Sequence, residues 1–264
     1  MTRSDPFQRN GLALRLYGSV VVVFLLLPIV VAAAVAFNGG ERPDFPPIYL
    51  SLRWFVSALR SDLFMDGLGK SLIIAFASTV LAATAGSAAA IAINHYRFPG
   101  RTLIQTILML PVALPAIVLG LGMLFSLPML GLNVGLVAAT LGHAVLGIPY
   151  VIAMVSASLA SFDRSLERAS LNLGVGPLRT FFRITLPHIR PGVIAGAIAS
   201  FLLSMDNISL SLFITRNDTL PLRLMQHMLS YTDPSVAAMS VMLLLISLAL
   251  LLALLPFLAR GRAG

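Results

Sequence analysis

Asp206 is the one carboxylate inside a long apolar run of this chain, and polar residues accompany it. Ser200, Ser204, Asn207 and Ser211 recur with it at helical spacing, so one face of a helix would carry a polar stripe. The expected position is about 20 Å up that helix from its cytoplasmic end. A carboxylate near mid-membrane costs about 2.5–3.5 kcal/mol on insertion scales, so it normally faces a cavity or a partner. The chemistry it offers is brief electrostatic acceptance of a cation. Ser204, Asp206 and Asn207 are therefore the candidate translocation-path residues. The competing reading is a structural cap or a bond to a neighbouring helix. His143, beside Gly142 in another apolar run, reads as a packed, hydrogen-bonded side chain rather than a ligand.

Reaction chemistry finds no support. There is no His-Glu-x-x-His, no Gly-x-Ser-x-Gly and no phosphate-binding loop, and one acid without a second makes no aspartyl protease. The chain has 0 cysteines, which excludes disulfides, thiol nucleophiles and thiolate-bound metals. No catalytic residue, no metal and no cofactor is expected on this chain.

A second group of polar residues sits between two apolar runs. Residues 167–187 read ERASLNLGVGPLRTFFRITLP. Leu166, Ala169 and Leu173 share one face at i, i+3, i+7. Gly174 and Gly176 interrupt the helix, because glycine takes the positive φ that a helix stop requires. Pro177 suits the first position of the next helix. Phe181, Phe182, Ile184 and Leu186 make that helix apolar, Arg179 and Arg183 stack at i, i+4, and Pro187 is expected to end it. On residues alone, this two-helix knob is equally a plug for a partner's groove or a loop lying on anionic headgroups.

These residues must be held by membrane helices. The chain has 264 residues, 58% hydrophobic and 11% charged, against about a quarter charged in soluble domains. Six runs have the roughly 20 apolar residues that a bilayer demands: 14–37, 70–93, 103–126, 134–159, 192–214 and 236–258. They lack the alternation of barrel strands. The fold class is thus an all-α membrane protein, one domain over 1–264, with six transmembrane helices and the 160–191 loop between helices 4 and 5. Ala34-Val35-Ala36 imitates a signal-peptidase site, but the apolar run from Leu16 to Phe37 exceeds the roughly 7–15 residues of a signal-peptide core, so it reads as a retained span. Pro111, Pro115 and Pro149 lie in spans three and four and can kink them. Outside the spans, Leu52, Phe55, Val56 and Leu59, with Trp54, predict a short amphipathic helix at the outer interface.

Charge placement sets the orientation. The N-terminal tail, the 94–102 turn, the 160–191 loop and the C-terminal tail hold twelve of the 18 Lys and Arg. The positive-inside rule puts these segments and both termini in the cytoplasm. The net charge of +8 is thereby a topology signal. No basic patch interleaves with aromatics, so nucleic acid is not an expected partner and membrane lipid is.

The spacing of the loop is distinctive: Arg168-Ala169-Ser170, three residues, Gly174, nine residues, Ile184, one residue, then Leu186-Pro187. It resembles the coupling ("EAA") loop of permease subunits in bacterial ABC importers, the binding-protein-dependent, MetI-like family. Ser200 to Asn207, Ser211-Leu212-Phe213 and Leu220-Pro221-Leu222-Arg223 are similar to its spermidine/putrescine, PotC-like branch. The resemblance implies a permease forming half of a translocation path for a small solute, a polyamine or otherwise ferric iron, thiamine, an opine or a phosphonate. It implies an inner-membrane, multi-pass location. It implies an ATPase subunit dimer carrying ATP and Mg, a second homologous permease subunit as heterodimer partner, and a periplasmic substrate-binding protein. It also implies ATPase coupling through Glu167, Arg168, Ala169, Ser170, Gly174, Ile184, Leu186 and Pro187. Where the family has Glu-Ala-Ala, this chain has Arg168-Ala169-Ser170, a reversed charge, with Glu167 one residue earlier. An ion-coupled secondary transporter is the alternative; it calls for discontinuous helices or repeated halves and several intramembrane charges.

Overall fold

The computed structural model describes residues 11–216 and 218–259, with side chains described from 14 to 253. The expected cytoplasmic charges Arg3, Arg9, Arg260 and Arg262 lie outside the described residues. Among the described residues, five helices are long and apolar enough to cross a membrane, and a sixth span results if one bent pair is counted together.

The chain divides into two units, residues 1–61 with 227–245, and residues 62–226 with 246–264. In the first, α1 (Gly11–Ala36) is apolar all round, and only 11% of its most hydrophobic stretch is buried. A helix that is apolar all round suits a membrane span. After it the backbone is irregular yet tightly bonded. The buried Asn38 side chain donates to the carbonyl of Arg42 at 2.9 Å and accepts from the amides of Gly40 and Ile48 at 3.1 and 3.2 Å. Trp54 Nε1 donates to Gly40 O at 2.9 Å. Helix α2 (Arg53–Arg60) is the expected short helix, but its buried residues are Trp54 and Ala58. Leu52, Val56 and Leu59 stay exposed, because the indole, fixed by its hydrogen bond, selects the inward face.

In the second unit three long helices pack together: α3 (Asp62–His95), α6 (Leu136–Ala160) and α9 (Leu186–Asp206). Their shared core holds Ala82, Ala90, Val151, Ile152, Val155 and Ile189. Lipid is as apolar as leucine, so small residues that permit close approach do the work here. Gly147 on α6 shows this: a Cβ there would overlap the Ser200 hydroxyl of α9.

The third expected span is not one helix. Helix α4 (Arg101–Ala113) and α5 (Ala116–Met129) meet at 110°. Leu114 is extended, at φ −92 and ψ 138, because a residue before proline is driven out of the helical region, and Pro115 follows. Pro111 and Pro149 remain inside α4 and α6. The fifth expected span, 192–214, is also broken. Helix α9 stops at Asp206, and α10 (Ile208–Ile214) starts after Asn207, which has φ −82 and ψ 98. Helix α10 packs with α5 and α6 around Leu127, Ala138, Ala139, Leu210 and Ile214.

Candidate functional site

The loop assembles from local rules. Helix α7 (Ser165–Asn172) begins where Asp163 accepts from the Ser165 amide at 2.8 Å and its hydroxyl at 2.6 Å. These bonds from the Ser165 hydroxyl and amide hold the Asp163 carboxyl below its ordinary range. At the far end Gly174 has φ 80. Its amide bonds Leu171 O at 3.0 Å and that of Val175 bonds Ser170 O at 3.1 Å, a Schellman closure that requires the left-handed residue. Pro177 then opens α8 (Pro177–Thr180), as expected.

Pro187 does not end the second loop helix. Residues Phe181–Thr185 form a π turn and the helix runs on as α9 to Asp206. Leu186 N–H reaches Phe181 O, one residue further back than in an α-helix. That wide turn accommodates a proline, which cannot donate and crowds the preceding turn.

The loop sorts its side chains against simple polarity. Leu166, Ala169 and Leu173 are exposed, as are Leu178 and Phe182. Ser170 is buried, with its hydroxyl 2.8 Å from that of Thr180. Glu167 turns inward, bonded by the buried Thr185 hydroxyl and lying 3.7 Å from His95 Nδ1. Its side chain is 17% exposed. Arg168 points to solvent. Ile184 and Leu186 pack against the α3–α6–α9 core, and Pro187 is exposed. A groove of about 490 Å³ beside the loop is lined by His95, Tyr96, Arg164, Glu167, Arg168 and Phe181 among others.

The polar residues around 206 are divided rather than aligned. Asn207 caps α10, its Oδ1 accepting from Leu210 N–H at 2.8 Å, a role asparagine fills because its short amide competes for backbone groups. Asp206 ends α9 and is exposed. Among the described residues no hydrogen bond or ion pair holds it. Ser200, Ser204 and Ser211 are buried. Ser204 bonds His143 Nδ1 at 3.0 Å and Ser211 bonds Nε2 at 3.0 Å. So the expected continuous stripe with Ser204 beside Asp206 is replaced by an outward Asp206 and inward serines, because residues two apart on the continuous helix α9 face nearly opposite sides. Sequence reading placed His143 as a packed, hydrogen-bonded group, and that is its geometry.

One cluster escaped sequence reading. Arg223, on α11 (Leu220–Ser230), reaches Asp66 at 2.6 Å and Leu63 O at 2.5 Å. Lys70 lies 3.2 Å from Asp66 and 3.4 Å from Asp218. Asp66 and Lys70 are i, i+4 on α3, which was the available signal; the arrival of Arg223 across 157 residues was not. Among the described residues no group of three or more acids or histidines is placed to hold a metal.

Residues 82–260 match the family described as "Binding-protein-dependent transport system inner membrane component". The chain is 30% identical over 230 residues to the putrescine transport system permease PotI of Escherichia coli K12, covering 84% of this chain and 82% of that one. It is 28% identical over 233 residues to the spermidine/putrescine permease PotC of Haemophilus influenzae, covering 88% and 90%. In fold it is similar to a subunit of a bacterial ABC transporter for alginate import, with TM-score 0.71 and 16% identity over 98% of this chain and 99% of that one. The chain belongs to the family of inner-membrane components of binding-protein-dependent transport systems. It is a permease of the ABC importer class, a transport component and not an enzyme.

Proposed function

We propose that this permease forms half of the path for a cationic polyamine such as putrescine or spermidine, and couples that path to an ATPase through the 160–191 loop. The observation that carries the substrate reading is Asp206, a carboxylate at a helix break within an apolar span, exposed and without a hydrogen bond or ion pair among the described residues. A carboxylate without an internal partner is available to a passing ammonium group. The names of the two polyamine permeases that resemble this chain along most of its length support the same substrate class.

The coupling reading draws on the loop's surface. Leu173, Leu178 and Phe182 offer an apolar contact, and Arg168 and Arg179 flank it with positive charge. With Glu167 occupied by His95 and Thr185, the charge offered to the ATPase is Arg168, and the matching ATPase surface presents an acid. ATP and Mg belong to that ATPase dimer. A second, homologous permease completes the path, a periplasmic binding protein delivers the substrate, and both termini face the cytoplasm.

The test is uptake of labelled putrescine and spermidine by the reconstituted complex, wild type against Asp206→Asn. A selective fall in uptake with unchanged affinity of the binding protein is expected. Normal uptake and normal stability in the variant would remove Asp206 from the path.

A further inference from the structure

His143 has no part in the function described so far, yet it touches both halves of the interrupted fifth span. It sits on α6 and is 2% exposed. Ser204, on α9, bonds its Nδ1, and Ser211, on α10, bonds its Nε2. The break at Asn207 lies between those serines. In an unbroken helix two residues seven apart are separated by about 10.5 Å along the axis. Two bonds of 3.0 Å and one imidazole ring fall short of that span. Both bonds form together because the helix is interrupted.

The proton positions follow from counting hydrogens. Ser211 has one hydroxyl hydrogen, and it is donated to the carbonyl oxygen of Asn207 at 2.8 Å. Toward the imidazole Ser211 Oγ therefore accepts, and His143 Nε2 carries the hydrogen. In a neutral ring Nδ1 is then an acceptor, and the Ser204 hydroxyl donates to it. Ser204 Oγ keeps an acceptor site, with Ser78 Oγ 3.4 Å away. One directed chain of bonds runs from Ser204 through His143 and Ser211 to the backbone of Asn207. All three side chains are buried, so removing any one orphans its neighbours.

We propose that His143 is a positioning residue for the translocation path: as a neutral, Nε2-protonated imidazole it staples α9 to α10 across the break and so fixes where Asp206 is presented. The role of Asp206 in the path is taken from the proposed function; the staple itself is independent of it. Asn207 is gripped at both ends, by Leu210 N–H on its side chain and by Ser211 on its carbonyl. Among the described residues nothing grips the Asp206 carboxylate, so its direction is inherited from the backbone that the staple holds.

The test uses the complete complex, with partner permease, ATPase and binding protein, in proteoliposomes taking up labelled putrescine. His143→Leu removes both bonds, His143→Gln restores one donor and one acceptor at similar spacing, and Ser211→Ala removes a single hydroxyl. Uptake per assembled complex is expected to fall about tenfold in His143→Leu, the size of losing about 1.4 kcal/mol, and to stay within about twofold of wild type in His143→Gln. Adding His143→Leu to Asp206→Asn is expected to cost nothing further, since coupled residues are non-additive. Nitrogen-15 spectra of histidine-labelled complex are expected to show an Nε2-protonated ring that disappears in His143→Gln. Wild-type uptake in His143→Leu, equal losses in the Leu and Gln variants, multiplying losses in the double variant, or an Nδ1-protonated ring would each overturn the proposal. If His143→Leu fails to assemble, Ser211→Ala carries the same comparison. Normal uptake in Asp206→Asn alone would remove the path reading, while the ring's proton position still decides the staple.

Discussion

In the 160–191 loop the apolar side chains Leu173, Leu178 and Phe182 are exposed and the polar Ser170, Thr180 and Thr185 are buried. Around Asn207 the polar Ser200, Ser204 and Ser211 are again buried, beside the apolar Met205 and Leu210, while the charged Asp206 is exposed. Both regions bury small hydroxyl residues, and for the same reason. A hydroxyl is small and pairs locally, so it suits a tight junction between segments. They differ in what they leave outside. The loop leaves apolar surface, which fits a protein groove. The break leaves an exposed carboxylate, which fits a passing cation. The inward or outward setting of a side chain, not its polarity, separates the scaffold from the working surface in both places.

The sharpest way to break this comparison is at Gly174. A β-branched side chain at φ 80 carries strain on the order of 1–3 kcal/mol. Gly174→Val is expected to leave membrane insertion intact and to abolish substrate-stimulated ATP hydrolysis and uptake. Wild-type stimulation in that variant would mean that the loop geometry has no coupling role.

Next comes the break. Asp206→Asn keeps the shape and removes the charge, and uptake is expected to fall about tenfold, equivalent to about 1.4 kcal/mol of barrier. A loss of complex yield instead of uptake would make Asp206 a structural residue held by another subunit. Removing one partner of a buried pair costs about 3–5 kcal/mol.

A smaller effect distinguishes the two charges at the start of the loop. Arg168→Glu is expected to weaken ATPase association, read by co-purification, with little change in permease stability. Glu167→Gln is expected to do the reverse, lowering thermal stability by about 1 kcal/mol because the group that accepts from Thr185 and lies 3.7 Å from His95 loses its charge. If Glu167→Gln weakens association more than Arg168→Glu does, the inward setting of Glu167 is not the one that docks.

The mildest perturbation tests orientation. The absence of cysteine allows single substitutions, Asn172→Cys in the loop and Arg262→Cys in the tail. Both are expected to transport normally and to resist an impermeant thiol reagent applied from the periplasm. Labelling of either position in intact cells would reverse the topology.

What the sequence determined by itself was whatever depends on nearby residues. Apolar length placed the membrane helices, since a run of about 20 apolar residues has few alternatives to a span. The loop's architecture followed from Gly174 and Pro177, because positive φ and a fixed φ are properties of single residues. The break before Pro115 was foreshadowed by the same logic, although which of Pro111, Pro115 and Pro149 would break its helix was not. The tertiary structure decided the rest. It turned Glu167 inward to His95, whose approach depends on how α3 ends against the loop. It brought Arg223 to Asp66 across 157 residues. It converted an expected continuous stripe at 200–211 into a broken span with His143 between its halves, since Asn207 can sit in a helix or cap one. That choice is made by the partners waiting on α6, which no local pattern in the chain records.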